Sequence, residues 1–246
     1  MTILVTRPEG QADRLIGALE QCGYQVLHRP LMAIQPVAAD SPAARATRSC
    51  MLDLDLYQQV IAISANAARQ GLAWLDEFWP QPPLGLDWYG VGPASVEPLR
   101  EFGLDAQCPA SRYDSEGLLA LAALQQIAEQ RILIWRGVGG RETLASELRA
   151  RGARVDYAEL YERQPVPYSR DDWDAALAAC PWLLLSSGQA LDIIEGQVPE
   201  LARRIAGLIL PSEGIAAAAR AKGYDPVLVP ASARDEDMLS CLAAQL

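Results

Sequence analysis

Residues 131–165 read RILIWRGVGGRETLASELRARGARVDYAELYERQP, and residues 3–36 read ILVTRPEGQADRLIGALEQCGYQVLHRPLMAIQP. The two stretches match at a fixed offset. Arg7 falls on Arg136 (136 − 7 = 129), and the same shift pairs Val5 with Ile134, Gly10 with Gly139, Leu15 with Leu144, Leu19 with Leu148, Gly23 with Gly152, Val26 with Val155 and Pro36 with Pro165. Each stretch is a short apolar run, a turn carrying Arg and Gly, a helix with leucines on one face, a Gly stop and a second β-rich run, which is a β-α-β unit. An internal duplication near half the length of a 246-residue chain favours two domains.

Outward from these units the alternation continues. VIAIS (60–64) reads as a buried strand, ANAARQGLAWLDEF (65–78) as a helix, DWYGVG (87–92) as a strand and turn, and PASVEPLREFG (93–103) as a short helix. DAQCP (105–109) follows as a strand, and SEGLLALAALQQIAE (115–129) as a long helix. Residues 38–52 lack a clear apolar face and predict a loop or loose helix. The last third repeats the pattern: WLLLSS (182–187) answers VIAIS, GLILPS (207–212) answers DWYGVG, and Pro109-Ala110-Ser111 falls on Pro230-Ala231-Ser232 at an offset of 121, with Asp114 on Asp235. Strict β/α alternation implies parallel sheets covered by helices.

The expected fold is therefore α/β, with two similar parallel-sheet, flavodoxin-like domains. Short connections place residues 1–36 with 165–246 in one domain and 37–160 in the other. HRPLMAIQP (28–36) and ELYERQPVP (159–167), both extended and bracketed by proline, read as a two-stranded linker. A cleft between two such domains is the expected ligand site, and the hinge is expected to let them close.

A net charge of −10 argues against nonspecific nucleic-acid binding, which needs a basic face to displace counterions. It leaves room for a small anion, because screening over about 8 Å lets a local arginine cluster act alone. No apolar run reaches membrane-spanning length and no signal-type segment opens the chain, so a cytoplasmic protein is expected. Five scattered cysteines without a CxxC pair argue against a disulfide frame or a thiolate zinc site. His28 is the only histidine, which excludes a His-rich metal site and leaves a Ser-His-Asp triad a single route.

RGVGGRE (136–142) has two glycines, Gly137 and Gly139, at the spacing of a dinucleotide loop, but Glu142 stands at the third glycine position. A Gly-rich turn opening a helix, here with Gly139, Gly140 and Arg141, still presents N–H groups that suit carboxylates as well as phosphates. Ser64 with Asn66, Ser95, Ser186 with Ser187, and Ser212 all follow predicted strands. N-capping, worth about 1 kcal/mol each, explains any one of them; jointly they line the carboxyl rims of both sheets. Arg7 and Arg136 end equivalent strands, where structural ion pairs and anion binding are equally good explanations. Tyr161, on the second linker strand, reads as a packing residue or a cleft residue.

ILVTRPEGQADRLIGALEQCGY, SANAA, YGVGPAS, RGVGGRETLASELRARGARVDYAELYER and LLLSSGQAL together resemble the uroporphyrinogen-III synthase family over essentially the whole chain. The resemblance implies a cofactor-free lyase without a metal. Its substrate would be hydroxymethylbilane, a linear tetrapyrrole with eight carboxylates, closed with loss of water and inversion of the last ring, as a step of heme and siroheme biosynthesis. It also implies Tyr161 as proton donor to the departing hydroxyl, strand-end hydroxyls at Ser64, Ser95, Ser187 and Ser212, a monomer, and hand-over from hydroxymethylbilane synthase. Ser212-Glu213-Gly214 departs from the Thr-Thr pair common in the family, so Glu213 is expected to point away from a polycarboxylate. A non-catalytic two-domain binding protein for a small polyanion and a nucleotide-dependent enzyme are the competing readings.

Overall fold

The computed structural model describes residues 1–232 and 234–245. They form two compact units, Met1–Ala33 with Gln164–Leu246, and Ile34–Arg163. The chain starts in the first unit with β1 (Thr2–Val5), α1 (Asp13–Gln21) and β2 (Gln25–His28), then passes through β3 (Met32–Pro36). The second unit continues with α2 (Pro42–Leu52), β4 (Gln59–Ala62), α3 (Ala65–Phe78), β5 (Asp87–Gly90), α4 (Pro93–Glu101), β6 (Ala106–Gln107), α5 (Ser115–Leu119), β7 (Arg131–Gly137), α6 (Thr143–Ala150) and β8 (Arg154–Pro165). The first unit is completed by α7 (Arg170–Ala179), β9 (Trp182–Leu184), α8 (Gly188–Gln197), β10 (Gly207–Ile209), α9 (Glu213–Ala221), β11 (Val227–Leu228) and α10 (Asp235–Gln245).

The first unit's sheet has the order β2-β1-β9-β10-β11, with every pair parallel. Numbered along the chain this is 2-1-3-4-5, the flavodoxin-like order. The second unit has β8-β7-β4-β5-β6, also parallel, with β3 added beside β8. Its spatial pattern is the same, but the chain enters at the strand equivalent to β9, so the chain order becomes 5-4-1-2-3. Register is shared as well: Thr2↔Gln25 to Val5↔His28 in one unit, Arg131↔Arg154 to Ile134↔Tyr157 in the other, each residue shifted by 129.

Both faces of each sheet are covered, which is why the strands read as unbroken apolar runs rather than alternating ones. Along β7, Leu133 and Trp135 enter the core beneath α3, while Ile132 and Ile134 enter a separate core with Leu144 and Leu148 of α6. In the first unit Leu4 and Leu183 face one core, and Ile3, Val5 and Leu184 the other.

Three expectations are corrected. Residues 42–52 form a regular helix: Ser41 accepts from the Ala44 N–H, Pro42 opens the first turn, and Ala44, Thr47 and Met51 are buried. The long helix expected over 115–129 ends at Leu119, and a separate 3-10 turn spans Ala122–Leu124. Leu121 is extended there (φ −61°, ψ 138°), which lets Leu124 and Ile127 bury fully with Leu118. Carbonyls released by this break accept from side chains: Leu119 O from Gln125 Nε2 at 2.6 Å and Arg151 Nη1 at 2.8 Å, and Leu124 O from Arg151 Nη1 at 2.8 Å. The extended segment 28–36 is two strands, β2 ending at His28 and β3 beginning at Met32.

Candidate functional site

In the second unit β4 and β7 are neighbours, with β5 following on one side and β8 on the other. Loops leaving the carboxyl ends of such a pair diverge and open a crevice, the usual ligand position in a doubly wound sheet. A cavity of about 370 Å³ lies at this switch point. Ile63 and Val91 border it from the ends of β4 and β5, Arg136 and Gly137 from the end of β7, and Thr143 from the start of α6.

Arg136 is 2 % exposed and folds back on its own loop. Its Nε donates to Gly137 O at 3.3 Å, Nη2 donates to Gly139 O, and Nη1 pairs with Glu142 Oε1 at 2.9 Å. The guanidinium lies 4.6 Å from the ring centroid of Tyr157, whose hydroxyl donates to the other Glu142 oxygen. The Tyr157 hydroxyl and the Arg136 guanidinium hold the Glu142 carboxyl below its usual range, and burial followed by the hydrogen bond to Glu142 pushes the Tyr157 phenol up. Gly140 has φ +104°, which side chains rarely adopt, and a Cβ there would sit 2.9 Å from Arg136 Nη2. Arg141 and Arg163 also border the cavity. The bordering acids are engaged: Arg112 and the Gly117 N–H hold the Asp114 carboxyl below its usual range, and Glu116 pairs with Arg112 at 3.4 Å.

Tyr161 belongs to the opposite face of the same sheet. A register shift after Arg136↔Glu159 sets Gly137 against Tyr161 instead of Leu160. This bulge sends Leu160 and Tyr161 consecutively into the core beneath α3, whereas Val155 belongs to the core on the α6 side, where Tyr157 packs against it. Gly137 makes the fit possible, since a Cβ there would lie 2.7 Å from the Tyr161 ring. Tyr161 is 1 % exposed; its hydroxyl lies 3.1 Å from Ser64 Oγ and accepts from Arg163 Nη2 at 3.3 Å. Arg163 thus touches both groups, bordering the cavity and reaching the phenol.

The structure therefore brings Arg136, Gly139, Gly140 and Arg141 together at one cavity, and Ser64 with Tyr161 on the other face. Ser64 and Ser187 cap α3 and α8 through Ala67 N at 3.0 Å and Ala190 N at 3.1 Å. Asn66 is half-buried in the first turn of α3. Ser95 is buried in the third position of α4, behind Gly92 as the capping residue, and Ser212 occupies the cap position of α9 without a side-chain cap bond. Arg7, in the first unit, pairs with Asp235 at 2.6 Å. Glu213 pairs with Arg220. His28 Nε2 donates to Arg7 O at 2.8 Å, which engages that nitrogen and closes the triad route through it. Sequence reading notes Glu142 only as a departure from a dinucleotide loop and does not single out Tyr157; the available signal was the 129 offset, which places Tyr157 on His28.

A model of the family described as Uroporphyrinogen-III synthase HemD matches residues 13–240. The chain belongs to the uroporphyrinogen-III synthase family. It is similar to the uroporphyrinogen-III synthases of Escherichia coli strain K12, 31% identical with 98% of this chain and 100% of that protein covered, and of Salmonella typhimurium, 32% identical with the same coverage. Two solved structures share the fold: a uroporphyrinogen III synthase mutant from Thermus thermophilus (16% identity, 99% and 98% coverage, TM-score 0.62) and the Helicobacter pylori enzyme (12% identity, 100% and 99% coverage, TM-score 0.62). Within this family frame, groups of three or more metal-ligating side chains are absent among the described residues. Among the described residues no helix is long and apolar enough to cross a membrane.

Proposed function

We propose that this chain carries out the uroporphyrinogen-III synthase reaction as a cyclising hydro-lyase in the cytoplasm. Hydroxymethylbilane, received from hydroxymethylbilane synthase, would lose its terminal hydroxyl as water and close with inversion of the last ring. The observation that carries this reading is the family match over 13–240. The cavity supports it, since Arg136, Arg141 and Arg163 border it with cationic groups suited to a polycarboxylate, beside the first-turn N–H groups of α6.

Tyr161 is the proposed proton donor, giving its O–H proton to the departing hydroxyl, which leaves as water, and taking a proton back after ring closure. General-acid help requires hydrogen-bond reach or one intervening group. With Tyr161 1 % exposed, the half-buried Ser64 hydroxyl is the group that can pass the proton on. The reactive intermediate needs little further activation, so positioning of the chain supplies most of the selectivity.

The test is an isomer assay. The protein is supplied with freshly generated hydroxymethylbilane, the product is oxidised, and type I and type III porphyrins are separated. Protein-dependent type III product is expected. Type I alone from a folded sample would overturn the reading and leave a polyanion-binding protein in its place.

A further inference from the structure

Arg136 is held by contacts that do not need Glu142: the carbonyls of Gly137 and Gly139, and the face of Tyr157. Its charge is met, among the described residues, only by Glu142. A buried guanidinium with no anion is costly, so some carboxylate has to occupy this place. Yet the occupant is loosely tied to the fold, because the Glu142 side chain is 57% exposed and does not cap α6. Arg136 and Tyr157 border the cavity, so the carboxylate of Glu142 bridges two groups that a ligand can reach.

We infer that Glu142 is a built-in occupant of a carboxylate seat: an acid group of the ligand takes its place between Arg136 Nη1 and the Tyr157 hydroxyl, and Glu142 swings into solvent. The exchange keeps one carboxylate on Arg136 throughout, so no buried charge is left unpaired at either end. The leaving carboxylate regains hydration, and its neighbour Arg141, exposed at the cavity rim, offers it a cation. Tyr157 remains a donor to either occupant, as its raised phenol keeps its proton at neutral pH. A ligand without an acid group at this point cannot displace Glu142, so the seat discriminates by carboxylate position. This rests on the polycarboxylate substrate proposed above.

The test titrates uroporphyrin III, the oxidised product, into the full chain and into Glu142→Gln and Glu142→Asp, with melting curves alongside. Removing the competing occupant should tighten binding by about 3- to 10-fold in both variants, the range of a modest ion pair. The Asp variant keeps the charge but is too short to bridge Arg136 and Tyr157. Tightening in Gln alone would reduce the effect to relief of charge repulsion and overturn the inference. Unchanged or weaker binding in both would make Glu142 a structural strut. If Glu142→Gln melts early, Glu142→Asp decides alone. A wild-type chain that binds no uroporphyrin and makes no type III product would instead remove the functional reading on which the seat depends.

Discussion

Arg7 and Arg136 stand at the same step of two strand-turn-helix stretches with the same register, yet they do different work. Arg7 reaches out of its turn to Asp235, far along the chain, and both side chains keep some exposure, 15% and 31%. Arg136 turns inward, binds two carbonyls of its own loop, and lies over Tyr157, while the equivalent His28 donates to the Arg7 carbonyl. Asp114, at the position equivalent to Asp235, pairs with Arg112 and so leaves Arg136 to Glu142. A strand-end arginine at one sequence position is thus a tie between distant segments in one unit and the keystone of a cavity rim in the other.

That contrast sets the largest expected effect. Arg136→Ala removes a buried guanidinium that donates to two carbonyls and lies over Tyr157, and should lower stability by about 2 to 3 kcal/mol, whereas Arg7→Ala, in a more exposed pair, should cost about 1 kcal/mol. Urea unfolding of both variants checks this, and equal losses would break the comparison. Next comes Tyr161→Phe, which should reduce turnover by about 10- to 1,000-fold without changing the melting temperature much. Wild-type turnover would take the phenol out of the mechanism.

The two serine caps sharpen the comparison further. Ser64 and Ser187 have nearly the same backbone angles, φ −164° with ψ 163° and φ −165° with ψ 164°, and the same capping bond. Their alanine variants should each lose about 1 kcal/mol of stability. Only Ser64 also touches Tyr161, so the isomer assay should show the larger loss of turnover in Ser64→Ala. Equal turnover losses would deny the Ser64–Tyr161 pair a separate role.

The smallest effect concerns pH. Glu142 is held below its unfolded value, near 4.3, by Tyr157 and then Arg136. A depressed carboxyl contributes stability that is complete above the unfolded value and disappears as pH falls through the folded one. Acid unfolding of Glu142→Gln should therefore be flatter than wild type below about pH 5. A superimposable acid limb would show that the Arg136–Glu142 contact does not contribute.

Local pattern made the strand and helix alternation legible, because short apolar runs and Gly stops are properties of neighbouring residues. The regular helix at Pro42 was not read from the sequence, although Ser41 and Pro42 carry its start signal, because its buried face is only Ala44, Thr47 and Met51. Nor was the break at Leu121, since its cost is offset by Gln125 and, from beyond β7, by Arg151.

By itself the sequence determined two α/β units, the equivalence of Arg7 and Arg136, the Gly-rich turn opening α6 and the family resemblance, all of which depend on residue types at fixed spacing. Only tertiary structure decided that Tyr161 meets Ser64, because one extra residue in β8 sends Tyr161 to the same face as Leu160. It also decided that Glu142 and Tyr157 share Arg136, since that triad depends on where a buried charge finds its partner across a sheet, and spacing along the chain carries no record of it.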